Sequence, residues 1–161
     1  MVDRELVLRF FAIEENLASY KPPLVRLLND YQRDHRNPPD EWILRQRERF
    51  ESTMKLISNV MGVAAFRVIE SNGIVERSVN RALFDAQTIV FANVSEAEAL
   101  DRAELIMSNI IQLFVDKDFL DAIRRATGDR SRTMQRVRQM IQAFESSGVS
   151  VDPSLISATD Y

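Results

Sequence analysis

Apolar and polar positions recur with helical spacing along most of the chain. In the first stretch Leu6, Phe10, Ile13 and Leu17 share one face at about 100° per residue, with Tyr20 at its edge. Val7, Phe11 and Ala18 lie to one side, and Leu8 and Ala12 lie behind. A helix that is apolar nearly all round is buried on several sides. The pattern therefore predicts a helix from Asp3 to Tyr20 around which the other elements pack. Lys21-Pro22-Pro23 ends it, because the residue before a proline is steered away from helical angles. A second helix is predicted from Pro23 to Asp34, with Leu24, Leu27, Leu28 and Tyr31 as its stripe. After the linker His35-Arg36-Asn37-Pro38-Pro39, a third runs from Asp40 to Met61 with Ile43, Phe50, Met54, Ile57 and Met61 on one side. Gly62 can close it.

The middle of the chain changes period. Residues 63–69 and 74–77 are rich in β-branched residues and flank Ser71-Asn72-Gly73, and Asn-Gly between such runs signals a hairpin. One small β-hairpin or extended excursion is expected near residues 63–77, leaning on helices because an isolated hairpin is marginal. Asn80 can cap a helix from Arg81 to Phe91, with Leu83, Ala86 and Val90 inward. Ser95-Glu96-Ala97-Glu98 is a capping box opening a helix to Phe114. Asp116 can cap a short helix, Lys117 to Ala126, that Gly128 ends, and Ser131 can cap a last one to Glu145. The expectation is a mainly α single domain of six or seven helices over residues 1–146, followed by a flexible tail over 147–161.

Composition narrows the chemistry. The 161 residues suffice for one domain with its own core. There is no cysteine, which removes disulfides, thiol catalysis and thiolate metal sites and fits a cytoplasmic protein. No apolar run approaches the ~18 residues that span a membrane, so no membrane contact is expected. His35 is the only histidine and lies in a polar linker. Triad catalysis would hang on that one residue, and a di-iron bundle, which needs two histidines, is excluded. No phosphate-cradling glycine loop is present. No self-sufficient active site, metal site or cofactor is expected.

Two charged features remain. Arg9 sits in the apolar run of the first helix. A guanidinium there keeps its proton and needs a carboxylate, for which Glu5 is the nearest in sequence. A structural ion pair and a functional arginine both fit. The net charge is −3, yet Arg124, Arg125, Arg130, Arg132, Arg136 and Arg138 lie in one segment with only Asp121 and Asp129 against them. Such a segment can neutralise the phosphates of duplex DNA. It can equally pair with the acidic stretch from Glu96 to Asp118, which holds six carboxylates. Around the last helix Arg132 and Arg136 project together and Arg138 far from them.

Four pieces taken in order resemble a known family. Asp3-Arg4-Glu5-Leu6-Val7-Leu8-Arg9-Phe10-Phe11-Ala12, then Tyr20, Leu24 and Leu28-Asn29-Asp30-Tyr31, then Gly62 and Ala65-Phe66-Arg67, then Asn80-Arg81-Ala82-Leu83-Phe84-Asp85-Ala86, resemble the helical second half of the GmrSD-type restriction proteins, the ParB-like domain of unknown function 262 group. The resemblance covers about residues 3–92. It implies phage defence by modification-dependent DNA restriction, with the catalysis in an α/β half whose motif does not occur in these residues. It further implies a non-catalytic helical portion supporting a partner that carries that half, and shared positions at Arg9, Asn80 and Asp85. These read first as structural, Asn80 as a cap and Asp85 as a partner for Arg9. The alternative is a stand-alone helical interaction module, self-associating or inhibiting a nuclease or toxin.

Overall fold

In a computed structural model that describes residues 2–159, the chain folds into nine α-helices: α1 Val2–Asn16, α2 Leu24–Asp34, α3 Asp40–Met61, α4 Arg81–Phe91, α5 Glu96–Asp101, α6 Ala103–Leu113, α7 Lys117–Arg124, α8 Arg130–Glu145 and α9 Pro153–Thr159. Residues 1, 160 and 161 lie outside the described residues. No described helix is long and apolar enough to cross a membrane.

The mainly helical class is as the periodicity predicts, but the organising helix is another one. Every residue of α4 from Ala82 to Phe91 is buried, and α1, α3, α7 and α8 pack around it. By contrast, α1 buries Arg9, Phe10, Ala12 and Ile13 and leaves Val7 exposed. The sequence disguises α4 because Asp85, Gln87 and Thr88 make it look amphipathic. Each of them is buried with a partner: Thr88 Oγ1 donates to the Phe84 carbonyl, and Gln87 Oε1 accepts from the Phe66 amide at 2.8 Å. A polar side chain is tolerated inside when it is hydrogen-bonded.

That Gln87 contact also explains the missing hairpin. No strand ladder forms among the described residues; a single antiparallel bridge joins Ile69 and Val75 across the Asn72-Gly73 turn. Phe66 takes a left-handed φ of 62°, which few non-glycine residues adopt, and its amide and carbonyl are held by Gln87 and by the Asn80 amide. The kink stops a strand from extending toward Val63, and Gly62–Ala64 form a 3₁₀ turn instead.

Three further expectations shift. The helix expected from Glu96 to Phe114 breaks at Arg102, so that α5 lies on α3 while α6 turns onto α8. Ser95 caps α5, but Glu98, instead of reaching back, accepts from the Ser150 amide at 3.1 Å. On α3 only the C-terminal half is inward: Thr53, Leu56, Ile57 and Met61 are buried while Ile43 is exposed. The largest correction is the C-terminus. Residues expected as a flexible tail put Val149, Val151 and Leu155 into the core, Val151 bridges Val94, and α9 packs on α8. A short segment with three well-spaced apolar residues is too brief to show a period, which is why its polar content dominates the sequence reading.

Away from this core, Ala12, Leu28 and Tyr31 form a small second cluster with Leu8, Phe11, Leu24 and Leu27 around it. Tyr31 donates to Glu15 Oε1 at 2.9 Å. Burial and that bond raise its pKa above the ordinary value, and burial raises that of Tyr20.

Two outcomes follow from this packing. Leu155→Ala is expected to lower the unfolding free energy by about 2–4 kcal/mol in urea titration; a loose tail would give no change. A tyrosine pKa raised by folding supports stability that is complete below the unfolded value of about 10 and is lost as pH climbs beyond it. Urea midpoints measured between about pH 8 and about pH 11 should therefore fall, and should fall less in Tyr31→Phe.

Candidate functional site

Asp85 sits mid-way along α4 with both carboxylate oxygens inside the protein. Arg9 of α1 donates from Nε to Asp85 Oδ1 at 2.9 Å and from Nη2 to Oδ2. Arg136 of α8 approaches from the other side, Nη2 to Oδ2 at 3.2 Å, and its Nη1 donates to the Thr127 carbonyl at 2.9 Å. Asp85 and Arg136 are each only 1% exposed. Glu5, the sequence-near candidate for Arg9, stands 3.6 Å from Nη1 and is half-exposed, so it is a secondary partner. Burial pulls the Arg136 pKa down from its ordinary value while Asp85 opposes it. For Arg9 burial also pulls down, but Asp85 and Glu5 outweigh it and the pKa rises. Both guanidinium groups remain charged.

The surrounding bonds fasten distant segments to this centre. Asn80 Oδ1 caps α4 by accepting from the Leu83 amide at 2.9 Å, and its Nδ2 donates to the Ile123 carbonyl at the end of α7 at 3.0 Å. The Tyr20 hydroxyl donates to the Gly128 carbonyl in the α7–α8 turn. Arg130 returns the connection, donating to the carbonyls of Tyr20 and Ala18 at 3.0 and 2.9 Å. Arg9 and Asp85 are buried and Asn80 is half-buried, and each is bonded to a segment remote from it in sequence.

The basic segment is dispersed. Arg136 points inward, which corrects its assignment to a phosphate-binding patch. Its amphipathic position on α8 gave no hint, because the partner carboxylate lies on another helix. Arg124 pairs with Glu76 at 2.7 Å and Arg125 stands 3.6 Å from Asp121. Arg136, Arg124 and Arg125 thus pair with Asp85, Glu76 and Asp121, none of which lies in the stretch from Glu96 to Asp118. Arg132 is half-buried against Gln135, and Arg138 is exposed. His35 is stacked between Tyr31 and Trp42, with ring centroids 4.1 and 5.0 Å away. Among the described residues no three histidine or acidic side chains gather where they could hold a metal ion.

A different feature, unmarked in the sequence, faces outward. Where α3 runs into the 3₁₀ turn, the end of α6 and the turn at 69–75 enclose an apolar groove of about 550 Å³. Its floor includes Met61, Ile69, Met107, Ile111 and Phe114. Val63 (82% exposed), Val115 (72%) and Ile74 (59%) stand exposed at or beside its rim. Each is an isolated valine or isoleucine next to a turn, so no periodic pattern marks them. Apolar side chains gathered around a concave surface are the usual mark of a binding site.

Comparisons with known protein families, curated proteins and solved structures find no match to this chain.

The buried cluster has a direct test. Asp85→Asn leaves the buried Arg136 guanidinium without a counter-charge and Arg9 with only the half-exposed Glu5, and should cost about 3–5 kcal/mol of stability. Arg138→Ala, at an exposed position, should stay within about 0.5 kcal/mol. Denaturant titration of the two variants distinguishes them; equal effects would mean that the Asp85 cluster does not hold the core.

Proposed function

We propose that this chain is a non-catalytic helical interaction module, the counterpart of the helical half of a GmrSD-type restriction assembly, and that it supports an α/β half supplied by a partner. One observation carries the reading. The four stretches behind the family resemblance are packed against one another: Arg9 pairs with Asp85, Phe66 bonds to Gln87 and the Asn80 amide, and Leu28 and Tyr31 rest on Ala12. The exposed groove between the ends of α3 and α6 is the surface this reading assigns to the partner.

Contact with duplex DNA is the weaker part of the reading. Arg136 is inside, Arg124 and Arg125 stand beside carboxylates, and Arg130 is bonded to backbone carbonyls. Arg132 and Arg138 are left to face phosphates, too few for the steep salt dependence of a DNA-binding surface.

Native purification from the source cell, with bound proteins identified by mass, tests the proposal. A ParB-like α/β protein in fixed ratio is the expected result. Recovery of the chain alone as a symmetric oligomer would overturn it in favour of a self-associating module.

A further inference from the structure

The groove has an electrostatic character as well as an apolar floor. Glu70 is the only charged residue lining it, and it is exposed. The C-terminal end of α6 also opens onto it through Gln112, Phe114 and Val115, and α6 has no basic residue in its last turn. Helix C-termini carry partial negative charge that a cation offsets. The neighbouring cation, Arg67, is already committed: it donates to the carbonyls of Val63, Ala65 and Arg77. Arg67 is thus held by the turn, and the last carbonyls of α6 are taken by the amides of Phe114, Val115 and Asp116. The Glu70 carboxylate accepts a long hydrogen bond of 3.3 Å from Asn72 and stays exposed on an otherwise uncharged lining. Two methionines, Met61 and Met107, line the floor, and thioether side chains adapt to varied apolar shapes.

We infer that the groove takes an apolar segment of a partner protein that carries a lysine or arginine beside its apolar side chains. The apolar side chains enter between Met107, Ile111 and Phe114, and the cation meets the Glu70 carboxylate. This rests on the reading of the groove as the interface, and it names the chemistry of what binds there.

The test uses a fluorescent amphipathic peptide of leucine and lysine and a twin with glutamate in place of lysine, each titrated into the full chain by anisotropy. The lysine peptide should bind at least about tenfold more tightly than its twin. Glu70→Lys should abolish that preference. Glu41→Lys, the same charge change about 30 Å away at the other end of α3, should leave it intact. Val63→Ser together with Val115→Ser, both lining the groove at exposed positions, should weaken binding of the lysine peptide about tenfold or more. The inference is overturned if neither peptide binds at concentrations on the order of 1 mM. It is equally overturned if Glu41→Lys matches Glu70→Lys, or if dodecylamine displaces the peptide and binds more tightly, which would make the groove a pocket for lipophilic amines. Peptide binding without a ParB-like partner in the native purification would retain the groove chemistry and remove only the restriction reading.

Discussion

A carboxylate buried in the middle of a helix needs opposite charge within reach, and in this protein that requirement joins the first helix, the central helix and the eighth. Asp85 is satisfied only when Arg9 and Arg136 arrive from segments 76 residues before it and 51 residues after it. An isolated buried ion would cost several kcal/mol, so none of the three can be in place alone. The apolar packing around α4 supplies most of the driving force for folding, but it is non-directional. The ionic contacts add direction, selecting the one arrangement in which three helices present these side chains to one point.

Local order was readable where a single element decides it. The bounds of α3 follow from Pro39 before it and Gly62 after it, and the Asn80 and Asp116 caps follow from side chains acting on their own backbone; the structure contains each of them. The pairing of Arg9 with Asp85 was readable only through the family resemblance, since spacing along the first helix pointed to Glu5. What the sequence hid is what two elements decide together. Burial of α4 on all sides depends on partners for Asp85 and Gln87 that lie elsewhere in the chain. The kink at Phe66 depends on Gln87, and the inward path of residues 149–155 depends on the shape of α8 and on Val94. The groove is the extreme case, because it is made where the ends of α3 and α6 meet the turn at 69–75, and no single element's pattern brings the three together.

The arginine-rich segment shows how far a charge run can mislead. Six arginines in one stretch suggest a phosphate surface, yet the fold engages five of them separately, with Asp85, Glu76, Asp121, Gln135 and backbone carbonyls, and leaves Arg138 exposed. Arginine suits these tasks because one planar group can reach a carboxylate and a carbonyl at once, as Arg136 does.

The small cluster of Ala12, Leu28 and Tyr31 makes the molecule energetically uneven. α2 rests chiefly on α1 and is joined to α3 by a linker in which His35 is sandwiched between two aromatic rings. Undocking α2 breaks that small cluster and leaves the Asp85 centre intact. α2 is thus an arm that fully buries only Leu28 and Tyr31, with Leu24 and Leu27 also against the main core, so its opening breaks less than global unfolding. Such an arm can lift to uncover Leu8, Phe11 and Ala12 of α1 while the rest of the fold keeps its shape.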